Sequence, residues 1–208
     1  MSSDRGRLGV LSDTHLPKGE HGLPALLLRA FAGVEAILHG GDVVRLGALE
    51  PLMALAPVYV VGGNNDDEEV GARCGYRRAL VWRGWRIGLV HGDTGYGRTT
   101  PARARSVFRK APPRYESIEA PRPDPPVLAD LGVAAPPGRP RGAHLAAPVP
   151  GPFDVIVFGH SHIPVCHIED GLLLLNPGSP TERRQEPRAS FALLETGEDG
   201  LSARMVYL

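Results

Sequence analysis

Seven residues drawn from one small chemical alphabet sit at the ends of apolar runs: Asp13 and His15, Asp42, Asn64, His91, then His160 and His162. Carboxylate, imidazole and amide oxygen make a mixed oxygen and nitrogen donor set, suited to manganese, iron, nickel, zinc or cobalt. Seven donors are too many for one tetrahedral ion. They suit two metals about 3.5 Å apart that share a carboxylate, the arrangement of two-metal hydrolases. The two cysteines, Cys74 and Cys166, supply neither a disulfide framework nor a thiolate zinc ribbon and read as small buried hydrophobes. Each fragment alone is weak, because a strand-terminal Asp is commonly a cap or turn former and a lone His commonly has a backbone partner. Their force lies in their order, each at a strand end, where the loops of an α/β sheet converge beyond its carboxyl edge.

The elements that must position them follow from the apolar pattern. Residues 8–11 form a short buried strand that delivers Asp13 and His15. A leucine-rich helix over 23–31 stops near Gly33, and a strand over 36–39 runs into Gly40-Gly41-Asp42. A second helix is predicted across 46–56, with Pro51 near its first turns, and a β-branched strand over 58–61 leads to Gly62-Gly63-Asn64. This alternation predicts an α/β domain with a parallel sheet. Past residue 75, strands over 79–82 and 85–90 flank Arg83-Gly84 as a hairpin that delivers His91, and a buried strand over 154–158 delivers His160 and His162. Residues 165–168, 172–175, 190–195 and 201–208 read as antiparallel strands. The prediction is a layered sandwich of two sheets, one mainly parallel and one antiparallel at its end.

At 208 residues the chain is sized for a single domain, 1–208. Twenty-three basic against 23 acidic residues give no field for gripping nucleic acid or an anionic membrane. No apolar run is long enough to span a bilayer and no signal-peptide core precedes residue 10, so a cytoplasmic protein is expected. Residues 111–152 hold 12 of the 21 prolines, and residues 98–141 carry 9 Lys and Arg against 4 Asp and Glu. The stretch 98–152 is therefore expected as an insertion, a loop or a lid, with a short helix across 102–110.

The motifs Ser12-Asp13-Thr14-His15, Gly41-Asp42, Gly63-Asn64-Asn65-Asp66, His91-Gly92 and Gly159-His160-Ser161-His162, followed by Asn176-Pro177-Gly178-Ser179, resemble those of the calcineurin-like metallophosphoesterases. More narrowly, the chain is similar to the small bacterial and archaeal phosphodiesterase branch, which includes the Vps29-type retromer subunit. The resemblance covers 7–97 and 153–208; the segment 98–152 has no counterpart in compact members. It implies a four-layer αββα sandwich of two mixed β-sheets flanked by helices. It also implies metal-dependent hydrolysis of phosphoesters, foremost diesters, by attack of a metal-bridging hydroxide. By the same resemblance Asp13, His15 and His162 would hold the first metal, Asn64, His91 and His160 the second, and Asp42 would bridge them. Asp42, Asn64 and His91 would carry the catalytic load, with manganese the first choice of metal and iron, nickel or zinc the alternatives.

One position departs from the larger phosphatases of the family, where a histidine able to protonate the leaving alkoxide follows the metal-binding asparagine. Here it is Asn65, a neutral amide, which favours leaving groups of low basicity. Asp66 is expected as a turn former, and His39 as a strand-end residue with a backbone partner or a hydrogen bond behind the site. Arg183, Arg184 and Arg188 are expected on the solvated surface. The expected partner is a small phosphoester. A membrane is not, and a nucleic acid is disfavoured because Phe108 and Tyr115 are the only aromatics of the basic segment. Homo-oligomerisation is left open. The rival readings are a protein-interaction scaffold of the Vps29 type and a phosphomonoesterase.

Overall fold

The computed structural model describes residues 5–16, 22–112, 114–119 and 132–208. Its first sheet starts with three parallel strands, β1 (Gly6–Leu11), β2 (Ala36–His39) and β3 (Val58–Val60). Beside β1 it continues antiparallel through β11 (Ser190–Gly197), β12 (Gly200–Tyr207) and β7 (Gly142–Leu145), giving the order β3-β2-β1-β11-β12-β7. The second sheet joins β6 (Glu116–Ser117), β4 (Arg77–Trp82), β5 (Trp85–Val90), β8 (Val155–Val157), β10 (Leu172–Asn176) and β9 (Val165–Glu169), in that order. Within it, β5, β8 and β10 are parallel while β4 and β9 run antiparallel to their neighbours β5 and β10.

Period-2 alternation assigns each strand two faces. Leu8, Val10, Leu38, Leu89, Val157, Leu175 and Leu194 point between the sheets and are fully buried. On the outer face of the first sheet, Ile37, Phe191 and Leu193 pack against Leu27 and Phe31 of α1 (Ala25–Phe31) and Leu52 of α2 (Glu50–Met53). On the outer face of the second, Val90, Ile156, Phe158 and Leu174 pack against Ala104 of α4 (Thr100–Val107) and Phe108. These are the four layers the family resemblance implied. No helix among the described residues is long and apolar enough to cross a membrane.

Several elements differ from the sequence-based expectation. Both sheets are mixed, because β11 and β12 join the parallel strands of the first sheet and β8 and β10 add a parallel core to the second. The helix expected across 46–56 is a 3-10 turn over Leu46–Leu49 running into the one-turn α2, since Pro51 cannot donate to the preceding turn. A helix not anticipated, α3 (Glu68–Cys74), begins at Asp67, whose side chain accepts from Val70 N–H at 3.0 Å, and ends at Gly75. Within 98–152, expected as loop or lid, α4 covers the second sheet, β6 extends it beside β4, and β7 extends the first beside β12. Edge strands use hydrogen bonds on one side only, so prolines in the flanking connections are tolerated. Residues 113 and 120–131 of that stretch lie outside the described residues.

One buried ion pair ties a connection to the sheet. Asp154 has a fully buried side chain and accepts from Arg86 N–H at 2.8 Å, Arg86 Nη2 at 2.6 Å and Val149 N–H at 2.8 Å. Arg86 Nη2 also donates to Val149 O at 2.6 Å. The run from 149 to 154 is thereby fastened to β5.

Candidate metal centre

The loops that follow β1, β2, β3, β5 and β8 meet at one end of the sandwich. The first two are zipped together by Asp13 N–H to Gly41 O at 2.9 Å and His15 N–H to Asp42 O at 3.0 Å. His160 N–H donates to both Asp13 carboxylate oxygens at 3.0 Å, which joins the two sheets. Asp13, His15, Asp42, His160 and His162 all have left-handed backbones, with φ of 54°, 42°, 56°, 67° and 60°. Non-glycine residues in this region cost of order 1–3 kcal/mol each and persist only where surrounding bonds impose them.

The side chains fall into two groups around Asp42. Oδ2 of Asp42 lies 3.3 Å from His15 Nε2 and 3.3 Å from His91 Nε2. On one side His15 Nε2 is 3.2 Å from His162 Nε2, which is 3.4 Å from Asp13 Oδ1. On the other, Asn64 Oδ1 is 3.2 Å from His91 Nε2 and 3.0 Å from His160 Nδ1. All seven side chains singled out from the sequence are thus brought together. Asp13, Asp42, His91 and His162 are buried; Asn64 is exposed and His160 opens to solvent.

Hydrogen bonds behind the rings decide which nitrogens face inward. His91 Nδ1–H donates to Gly40 O at 2.8 Å and His162 Nδ1–H donates to Glu182 O, so that Nε2 of each ring is the nitrogen directed at the centre. His39 is fully buried, and burial lowers it to about 3. Its Nδ1 accepts from Gly41 N–H at 3.2 Å, so Nε2–H donates to Thr14 Oγ1 at 3.1 Å; it has both the backbone partner and the bond behind the site. Asp66 is more than a turn former: its carboxylate accepts from the N–H groups of Asp42, Val44 and Gly63 at 3.1, 2.6 and 2.7 Å, clamping the loops after β2 and β3 together. Gly63 and Gly159 pass so close that a Cβ would stand 2.2 Å from Asp42 Oδ1 and 1.9 Å from Ser12 Oγ respectively.

Three supporting residues were not anticipated individually. Ser179 Oγ–H donates to Asp13 O at 2.7 Å, and Thr181 Oγ1–H donates to Thr14 O at 2.5 Å. Buried Asn176 donates to Gly159 O at 2.8 Å, steadying the loop that carries His160 and His162. The signal was the Asn-Pro-Gly-Ser turn itself, which carries polar side chains directly after the apolar run of β10.

The donor set fits divalent cations. Donors about 2.1 Å from one ion stand roughly 3.0–3.4 Å apart at the edges of an octahedron or tetrahedron, and the contacts above have that spacing. Asp13, His15 and His162 form one group able to hold an ion, and Asp13, Asp42 and His91 another. Charge balance agrees. Burial raises the Asp13 carboxyl to about 7 and the nearby Asp42 adds to this, against the opposing charge of His91. Burial works against protonating His91, yet its bond to Asp42 and the charges of Asp13 and Asp42 raise it to about 9. Burial would raise Asp42 too, but bonds from His91 and Asn65 hold it well below the usual carboxylate range. A buried acid short of positive charge beside an imidazolium that supplies it is the balance a cation would take over.

The calcineurin-like phosphoesterase superfamily domain matches residues 7–118 and 141–199, so that of the segment 98–152, expected to have no counterpart, only 119–140 falls outside the match. A probable metallophosphoesterase of Methanothermobacter thermautotrophicus is 32% identical over 191 residues, covering 92% of this chain and 87% of that protein. Among solved structures, zinc-complexed Vps29 of Entamoeba histolytica superposes with a TM-score of 0.62 at 19% identity, covering 97% of this chain and 98% of that one. An archaeal phosphodiesterase superposes with a TM-score of 0.59 at 19% identity, covering 97% and 99%.

Proposed function

The chain belongs to the calcineurin-like phosphoesterase superfamily, and from that premise we propose that it is a phosphodiesterase that works with two divalent cations, manganese foremost. Asp13, His15 and His162 would hold one cation, Asn64, His91 and His160 the other, and Asp42 both. The observation that carries this reading is Asp42 Oδ2 standing 3.3 Å from a histidine Nε2 of each group. When bound, the cations supply a lowered pKa for coordinated water and neutralise charge on the phosphoryl oxygens. The chain's own part is to fix donors in advance through left-handed backbones, inward-facing rings and the Asp66 clamp.

Asn65 directs the choice of substrate. Its Nδ2–H and backbone N–H donate to the two oxygens of Asp42 at 2.7 and 2.9 Å. A neutral amide committed to Asp42 has no proton for a leaving oxygen, so esters with weakly basic leaving groups are favoured. Replacing Asn65 by Ala frees Asp42 to rotate, and kcat is expected to fall about 10- to 100-fold with KM little changed. Steady-state kinetics at saturating manganese measure it, and an unchanged kcat removes Asn65 from this positioning role.

The direct test loads the purified protein with manganese and offers it an activated aryl phosphodiester. Turnover is expected, lost on chelation and restored by added metal. If the loaded protein turns over neither diesters nor monoesters, the phosphodiesterase reading fails and the interaction-scaffold reading takes its place.

A further inference from the structure

All three donors of the first group, Asp13, His15 and His162, are in contact with one short turn just past β10. Ser179 Oγ–H donates to Asp13 O at 2.7 Å and accepts from Glu182 N–H at 2.8 Å, which bends residues 179–182 into a tight loop. Thr181 Oγ1–H donates to Thr14 O at 2.5 Å, between Asp13 and His15 in the chain. Glu182 then meets both imidazoles. Its main-chain oxygen accepts from His162 Nδ1–H, and its carboxylate Oε2 stands 3.7 Å from His15 Nδ1.

The rings are not backed alike. Nε2 of His15 lies within the centre, 3.3 Å from Asp42 Oδ2 and 3.2 Å from His162 Nε2, so Nδ1 is the nitrogen turned to Glu182. His162 and His91 each rest on a neutral carbonyl, Glu182 O and Gly40 O, whereas His15 has a negative charge behind it. At 3.7 Å that contact is one of charge rather than a hydrogen bond. The far oxygen is engaged from the other side, where Arg184 Nε stands 3.9 Å from Glu182 Oε1. Arg184 holds a left-handed backbone, φ 51°, a bend that persists only where the surroundings impose it. The carboxylate is thus set between a guanidinium and an imidazole.

A carbonyl behind an imidazole fixes its tautomer and angle; a carboxylate also raises the ring's strength as a donor to a cation. We propose that the Glu182 carboxylate is a positioning group for the first cation alone, acting through His15. This rests on the two-cation reading and adds a residue outside the seven. With Asp13 and the shared Asp42, Glu182 brings three carboxylates to the first group, while the second group's own donors, Asn64, His91 and His160, carry no negative charge. The side chains of His15 and Glu182 are 14% and 50% exposed, so the acid sits at the rim, where it can be replaced without opening the core.

The test is a calorimetric titration of the metal-free protein with manganese, in which wild type is expected to take up two ions. Glu182→Gln keeps the shape and removes the charge; it is expected to weaken one ion about tenfold and leave the other unchanged. In a His15→Ala background the same substitution is expected to change no affinity, because the ring it acts through is gone. Thermal unfolding separates positioning from support of the fold: without metal, Glu182→Gln should unfold at the wild-type temperature, while the upward shift given by manganese shrinks. Unchanged affinities, equal weakening of both ions, a loss that persists in His15→Ala, or a lower unfolding temperature without metal overturns the role of Glu182. Wild type that binds a single ion overturns the two-cation reading, and that ion's response to Glu182→Gln then decides the role of Glu182; wild type that binds none overturns both.

Discussion

Asp42→Asn is expected to reduce phosphodiester turnover by at least about a hundredfold, and to lower the number of manganese ions bound per chain from two. Asparagine matches aspartate in shape, and the backbone N–H of residue 42 keeps its bond to Asp66, so the loop should hold. What is lost is a negative charge 3.3 Å from both His15 and His91 and one acceptor for Asn65. Residues that merely support metal ligands cost about 10- to 100-fold when removed, and a residue shared by both ions should cost more. Turnover in a manganese titration and calorimetric stoichiometry read the two effects separately. Two tightly bound ions and near wild-type turnover in the variant would show that Asp42 does not join the two groups.

Far from the centre, Asp154→Asn should cost about 3 kcal/mol of folding stability, because it leaves Arg86 partly buried without its partner. Burial alone would raise the Asp154 carboxyl, but bonds from Arg86 and Val149 outweigh it and hold the group below its ordinary 3.8. The sign follows from linkage. The unfolded carboxyl titrates near about 3.9 and the native one lower, so the contribution is complete above the unfolded value and disappears as pH falls through the native one. Urea midpoints of wild type and variant should therefore differ widely at neutral pH and draw together as the pH is taken below the ordinary 3.8. A gap that stays constant with pH would assign the loss to packing.

The centre was legible because its residues are strand-end polar groups after short apolar runs, and topology places those ends side by side. The supports behind it were hidden for a different reason. Ser179 reaches Asp13 across 166 residues and Thr181 reaches Thr14 across 167, contacts that no local pattern announces. The left-handed backbones at His15, His160 and His162 are likewise tertiary, imposed by loops that bind one another. The helix α3 had a readable start in Asp67-Glu68-Glu69, but with Val70 and Gly71 its only buried residues it shows no apolar stripe. The edge strands β6 and β7 were obscured by composition, since two and four residues beside proline-rich runs leave little alternation to detect.

The bent main chain at Asp13, His15, Asp42, His160 and His162 sets chemistry against robustness. Glycine at any of the three histidine positions would relax the local conformation while discarding a donor. On this backbone, giving up one of these imidazoles and gaining heat resistance are therefore a single substitution.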